Sequence, residues 1–421
     1  MAPSRRPYQV GVIGATGFTG RLVMRRLIRN RPELRILSSS RKPDALKAIV
    51  EGMNIPGITA WDHPVSSESY NSLVDFVSLV DVVIACAGPF FDVGMPVVRA
   101  CVQRGTHYVD INAEIDFIRR VIDEFGAHAR SGNVLVLPAC GFNCVADMSV
   151  LFAQQLTQSP ITRVLNLVSM KSSMSGGSFK TLLAVANDES RWRVIRDAFA
   201  LNEHLDPVCG PTSDPTDFEA DAFALKYDND RGKWTGPSAT AVVDTRIVRR
   251  TASLARLHPE RHFKLNPKFG YRELHESDSF LSAVVPTTLA MLQSPVKWAL
   301  SMPLINRVTE MLMPQPKDES GPDELTRREN WFRFRIEAKT EQNEQILFDL
   351  AGGDFYDVSA ETAALAAICI LDEKEAILKE LQGGGIFTPA FALGERYLGR
   401  LKTSPLLKFQ CKQVEGAVAA A

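Results

Sequence analysis

The chain has 421 residues, 45% of them hydrophobic and 23% charged, which is the composition of a globular protein of two or three domains. Lys and Arg number 48 against 49 Asp and Glu, and a net charge of −1 excludes a global field for gathering nucleic acid. The seven cysteines are odd in number and residues 1–7 have no apolar core of a secretory signal, so reduced thiols and a cytoplasmic protein are expected.

Residues 9–13 are apolar and β-rich and read as a first strand. In 19–30, Leu22, Val23, Leu27 and Ile28 recur at helical spacing, with Arg21, Arg25, Arg26 and Arg29 on the other face. Further strands are predicted at 34–37, 81–86, 107–111 and 134–137, and helices at 43–51, 72–79, 95–104 and 115–130. Gly105 and Gly132 close the last two helices, and Pro138 stops the last strand. This alternation implies βαβ units on a parallel sheet.

After about residue 150 the rhythm changes. Residues 164–171 read as a strand, and Ser178 as the cap of a helix reaching 200. The polar stretch 202–236 reads as irregular loops. In 330–339, Phe332, Phe334 and Ile336 alternate with Arg333, Arg335 and Glu337, and with 345–350 this makes an antiparallel hairpin. Helices at 360–371 and 389–401 flank a Gly383-Gly384-Gly385 turn. The fold expected is α/β: a Rossmann-type doubly wound parallel sheet (1–150), a second α+β domain with a mostly antiparallel sheet for substrate and dimerisation (151–355), and a C-terminal helical segment (356–421) packing back on the first domain.

Between the first strand and helix lies Gly14-Ala15-Thr16-Gly17-Phe18-Thr19-Gly20, with G-x-x-G-x-x-G spacing. Glycines there permit a tight turn and let backbone N–H groups approach a pyrophosphate, and the helix N-terminus adds its dipole. The second strand ends in Ser38-Ser39-Ser40-Arg41-Lys42, without the carboxylate that would bind a ribose 2′-hydroxyl. Ser39, Ser40 and Arg41 suit a 2′-phosphate, so NADPH is the expected cofactor. Cys86-Ala87-Gly88-Pro89-Phe90 ends another strand and should line the cofactor crevice, Cys86 as a small core residue rather than a nucleophile. Cys140 and Cys144 have no second Cys/His pair at ligand spacing, and no metal is expected.

These segments, with Pro96-Val97-Val98-Arg99-Ala100-Cys101, Tyr108-Val109-Asp110-Ile111 and Cys140-Gly141-Phe142, resemble the saccharopine dehydrogenase-like oxidoreductases. Ser175-Gly176-Gly177-Ser178, the run from Asp244 to Arg250, Gly321-Pro322-Asp323-Glu324, Gly352-Gly353-Asp354 and Thr388-Pro389-Ala390 are similar, in order, to the trans-acting enoyl reductases. The resemblance implies NADPH-dependent hydride transfer to an activated double bond: a carbon–carbon bond on a polyketide or carrier-tethered substrate, or alternatively an imine. The chain departs from the family pattern at Asn112-Ala113-Glu114, at Asn143-Cys144-Val145-Ala146-Asp147 and at Phe355-Tyr356-Asp357. Those departures motivate a third reading, a cofactor-binding scaffold or lipid-associated partner without turnover.

The catalytic candidates are Asn143, as donor to a carbonyl, Tyr356, as general acid, and Asp110, each set against a structural role as turn former, packed aromatic or loop-fixing carboxylate. Glu114 and Asp147 read as caps of the helices that follow them. Arg246, Arg249 and Arg250 read either as a dock for an acidic carrier protein or as a strand's solvated face. The expected partners are a small-molecule or carrier-tethered substrate, a polyketide synthase and a second copy of the chain in a homodimer, with no nucleic acid. Residues 280–296 carry no charge and read as a buried or interface helix, or as an apolar patch lying weakly on a membrane or lipid droplet.

Overall fold

The computed structural model describes residues 6–173, 175–178, 181, 189–211, 213–222, 224–280, 282 and 321–415. Contacts divide the chain into two units. The first takes residues up to 145, Gly321 and 355–406, and the second takes the described residues of 146–318, 322–354 and 407–415.

The first unit is built on β1 (Tyr8–Ile13), β2 (Ile36–Ser39), β3 (Ile58–Ala60), β4 (Val80–Ala85), β5 (His107–Asp110), β6 (Leu135–Leu137) and β13 (Gly385–Ile386). They form a seven-stranded sheet in the order β13-β6-β5-β4-β1-β2-β3, and every pairing is parallel. Crossovers run through α1 (Phe18–Asn30), α2 (Pro43–Met53), α3 (Tyr70–Ser78), α4 (Phe90–Arg104) and α5 (Ile115–Ser131). The reversal of strand order beside β1 is the switch point at which open α/β sheets bind ligands. Val10, Val12, Val82, Val83 and Ile84 are fully buried, as a strand covered on both faces requires. β3 is a three-residue edge strand too short to leave a sequence signal.

Two later helices belong to this unit: α10 (Phe355–Glu380) and α11 (Pro389–Thr403), while α6 (Cys144–Gln155) leads out of it into the second. Helix α10 packs along α1, joined by Arg26 Nη2 to Asp357 Oδ1 at 3.0 Å and Asn30 Nδ2 to Glu361 Oε2 at 3.1 Å. The segment expected to be helical over 356–421 is so only in part: β13 adds an edge to the first sheet, and Leu407–Glu415 is a strand, β14, of the second.

The second unit holds β7 (Ile161–Lys171), β8 (Lys226–Asp228), β9 (Lys233–Pro237), β10 (Leu265–Ser277), β11 (Trp331–Thr340) and β12 (Gln345–Gly352). With β14 they make a second seven-stranded sheet, β14-β12-β11-β7-β10-β9-β8, in which only β10 and β7 pair parallel. The hairpin β11–β12 has the predicted alternation, with Phe332, Phe334 and Ile336 buried and Arg333, Arg335 and Glu337 half-exposed. Helix α7 is Glu189–Arg196, and residues 179, 180 and 182–188 of the helix expected there lie outside the described residues. Ser175 Oγ, not Ser178, takes the capping position, accepting from Ser178 N at 3.3 Å.

The largest departure from the sequence reading is α8 (Ala241–Leu257), a helix where a strand was expected. Its arginines face inward. Arg246 is fully buried and forks onto Asp221 at 2.7 Å through both terminal nitrogens. Arg249 donates to the Ala198 and Tyr271 carbonyls, and Arg250 to Glu203 at 3.0 Å. These side chains are spent on holding loops to the helix, so they are neither a solvated face nor a carrier dock. Asp147 likewise serves the second unit by accepting from Thr251 Oγ1 at 2.6 Å, rather than capping its own helix. A short helix, α9 (Glu324–Glu329), precedes β11.

Candidate functional site

The site is built on the carboxyl ends of β1, β2, β4, β5 and β6 in the first unit. Gly14 leaves β1 at φ +83°, a left-handed conformation that glycine tolerates, and its N–H donates to the Ser39 carbonyl at 3.2 Å. A Cβ on Gly14 would stand 2.8 Å from Ala87 N, so the turn lies directly against the β4–α4 loop. A Cβ on Gly20 would stand 2.3 Å from the Gly14 carbonyl oxygen. Only a bare backbone lets α1 begin this close to the end of β1. The first turn of α1 has no acidic residue, and helix geometry gives the Thr19 and Gly20 N–H groups no acceptor four residues back. Such a turn has the geometry to receive a dianionic pyrophosphate.

Helix α4 starts on the same sheet edge but is closed to anions. Glu114 accepts from Phe90 N at 2.6 Å and Phe91 N at 3.0 Å, a bidentate cap on the N-terminus of α4. Glu114 was expected to cap the helix that follows it; it caps one that starts 24 residues earlier. Of the two helix starts beside β1 and β4, α1 alone remains open to phosphate.

The end of β2 sorts the three expected 2′-phosphate residues. Ser39 and Ser40 are buried; Ser39 Oγ donates to the Val12 carbonyl at 3.3 Å, and Ser40 Oγ accepts from Lys42 N at 2.8 Å. Arg41 is exposed and has no ion-pair or hydrogen-bond partner among the described residues. The serines shape the turn, and the free guanidinium is the group available to a phosphate.

Beyond Cys86, whose N–H donates to the Ile13 carbonyl at 2.8 Å, the Gly88–Pro89 peptide is cis. Burial, with the Asp110 carboxylate nearby, pushes the Cys86 thiol well above its ordinary range, so it is no thiolate. Asp110 is fully buried at the end of β5. Its Oδ1 accepts from Asn112 N at 3.0 Å, Asn112 Nδ2 at 2.5 Å and Ala139 N at 2.8 Å, and its Oδ2 from Tyr108 Oη at 2.8 Å. Asn112 Oδ1 in turn accepts from Glu114 N at 3.0 Å. Burial raises the Asp110 carboxyl to about 6 against the pull of those donors. A carboxylate with four donors and no exposure has the geometry of a positioning group. Through Asn112 and Glu114 it ties the loops after β4, β5 and β6 into one network.

Asn143 is buried in the loop after β6, one residue ahead of α6. The neighbouring Phe142 stacks on Phe355 with centroids 4.4 Å apart, and its N–H donates to Ser359 Oγ at 3.0 Å. Tyr356 sits edge-on to both Phe355, at 5.1 Å, and Phe18 of the phosphate turn, at 5.4 Å. The sequence candidates Asn143 and Tyr356 are thus joined by an aromatic row running Phe142–Phe355–Tyr356–Phe18. The roles of Phe142 and Phe355 are hidden in the sequence because they meet across more than 200 positions, whereas Asn112 bonds residues two positions away on either side, Asp110 and Glu114. Gly321 closes the row: a Cβ there would meet the Phe18 ring at 2.4 Å.

Comparison with known proteins agrees with this geometry. Residues 10–137 match the model of the saccharopine dehydrogenase NADP binding domain. A trans-acting enoyl reductase of Mycobacterium leprae is 27% identical over 96% of this chain and 98% of its own length. The trans-acting enoyl reductase of Mycobacterium ulcerans is 26% identical over 95% and 97%. Among solved structures, saccharopine dehydrogenase (L-Glu forming) from Saccharomyces cerevisiae superposes with a TM-score of 0.53, covering 96% of this chain and 100% of that one at 12% identity, a likeness of fold. The chain therefore resembles the saccharopine dehydrogenase-like oxidoreductases along nearly its whole length, and it is an NADPH-dependent oxidoreductase.

No helix among the described residues is long and apolar enough to cross a membrane. Apart from Phe280 and Ser282, the uncharged run 280–296 lies outside the described residues.

Proposed function

We propose that this chain is an enoyl reductase acting in trans: it reduces the α,β double bond of an unsaturated thioester carried by a polyketide-type carrier protein. The observation that carries the reading is end-to-end similarity to relatives bearing that name, 95–96% of this chain being aligned. Gly14, Ala15, Thr16, Gly17, Phe18, Thr19 and Gly20 would hold the pyrophosphate, and Arg41 the 2′-phosphate, with Ser39 and Ser40 shaping the turn. Cys86, Ala87, Gly88, Pro89 and Phe90 would face the nicotinamide side.

NADPH held there would supply a hydride to the β-carbon. The π electrons would move toward the thioester carbonyl, whose oxygen would gain negative charge, and the α-carbon would take a proton from water or a side chain. Asn143 has a neutral amide donor on a buried loop, suited to hold that oxygen without competing for the proton. Asp110 is a positioning residue in this scheme, since its oxygens are occupied by the loops it fixes. Tyr356, packed edge-on between Phe18 and Phe355, serves as a wall that excludes water from the hydride path.

The test is NADPH consumption by purified protein offered enoyl thioesters, free and carrier-tethered. Reduction of either supports the reading. Consumption only when an amine and an aldehyde are supplied together would replace it with imine reduction, and NADPH binding without any turnover would leave a scaffold.

A further inference from the structure

If the substrate arrives on another protein, a surface must receive that protein, and the arginines of α8 are buried and committed. The exposed, uncommitted arginines lie elsewhere. Helix α1 contains four arginines and no acidic residue over its thirteen positions. Arg26 is turned toward α10 and paired with Asp357, and Arg31 just beyond the helix is paired with Asp372. Arg25 and Arg29 are both exposed and have no ion-pair or hydrogen-bond partner among the described residues. They stand four residues apart, on one face of the helix and about 6 Å apart along its axis. The helix dipole accounts for a cation in the last turn, at Arg29, but not for Arg25 in the middle.

We infer that the Arg25–Arg29 face of α1 is the docking surface for the carrier protein, recognised through carboxylates on an acidic helix of that partner. This rests on the reading of the preceding section. Two guanidinium forks at one-turn spacing match carboxylates presented at the same spacing on a facing helix. Nucleic acid fits less well, because the chain as a whole is at −1 and offers no extended basic field. The position also fits the task. Arg25 is about 9 Å and Arg29 about 15 Å along the helix from Thr19, so a docked carrier would stand within about 15 Å of the phosphate turn.

The experiment compares steady-state reduction of a free enoyl thioester with that of the same acyl group on a holo acyl carrier domain. The Arg25→Glu/Arg29→Glu double variant should raise KM for the tethered substrate at least about tenfold, more at low salt than at high, and leave the free thioester unchanged. Arg25→Gln/Arg29→Gln should fall between it and the parent. Lys47→Glu/Lys379→Glu, an equal charge change on exposed lysines of α2 and α10, should do neither. NADPH affinity, measured on each variant, reports that the first unit is folded. An unchanged KM for the tethered substrate in both arginine variants overturns the inference, as does an equal rise in the lysine variant. Loss of binding to phosphatidylglycerol vesicles or to RNA, with the carrier unaffected, overturns it too. If neither substrate turns over in the parent protein, it is the proposed reaction that fails. Direct titration with the holo carrier domain then decides the docking surface alone: a Kd weakened by the arginine variants supports it, and an unchanged Kd or no binding overturns it.

Discussion

Replacing Arg41 by alanine tests how the cofactor is chosen. Arg41 is exposed at the end of β2 and unpaired among the described residues, so its removal breaks no internal contact. Folding stability should stay within about 0.5 kcal/mol of the parent, as for an ordinary surface substitution. In the complex the guanidinium would meet a 2′-phosphate with a charge-assisted, bidentate contact worth about 1.5–3 kcal/mol. That is a loss of about 10- to 150-fold in NADPH affinity. NADH has no 2′-phosphate, so its affinity should not move. The neighbouring serines cannot take over, because Ser39 and Ser40 hydroxyls are already bonded to Val12 and Lys42. The assay is fluorescence titration of R41A and parent with each cofactor at two salt concentrations, and the NADPH difference should shrink at high salt. An equal loss for both cofactors, or none for NADPH, would refute the assignment of Arg41 to the 2′-phosphate.

Other changes have distinct signatures. Gly20→Ala puts a methyl 2.3 Å from the Gly14 carbonyl oxygen, where backbone must shift, and should cost about 1–3 kcal/mol in thermal or urea unfolding while weakening both cofactors equally. Arg246→Ala strands the Asp221 carboxylate that it forks onto and should lower stability by about 3 kcal/mol in urea, with far less effect on NADPH affinity if the units unfold separately. Asp110→Asn keeps one acceptor oxygen but turns the other, which accepts from Tyr108 Oη, into a donor, and should cost about 1–3 kcal/mol, with turnover falling more than cofactor affinity. His107 and His275 are buried, and desolvation holds both down at about 4. The unfolded chain binds the extra protons first, so their contribution is present above about pH 6.5 and lost as pH falls toward 4, by up to about 3 kcal/mol each. Stability measured across that range should show the loss, and His107→Gln should reduce it.

The first sheet was legible because its signals are local. Apolar runs, a glycine turn and helix-closing glycines lie within a few residues of the features they produce, and β1, α1, α5 and the β11–β12 hairpin follow them closely. What the sequence concealed depends on distant partners. The arginines of α8 look like surface because their acceptors, Asp221, Glu203 and the carbonyl of Ala198, are about 20 to 50 positions away. Glu114 looks like a cap for its own helix, yet α4 is what it meets in space. The β10 strand carries Glu273 and His275 among its buried residues, so its pattern lacks an apolar alternation. At the site, the glycines and Arg41 could be read directly. The Asp110–Asn112–Glu114 network and the Phe142–Phe355 stack required the fold.

The most direct test of the central claim follows the hydride itself. The protein is incubated with a carrier-tethered enoyl thioester and NADPH deuterated at the transferred position of C4, and the acyl product is weighed after release. A saturated product carrying a single deuterium at the β-carbon is expected, formed far more slowly when NADH replaces NADPH. A protein that binds NADPH yet delivers no deuterium to any free or tethered enoyl thioester would contradict it.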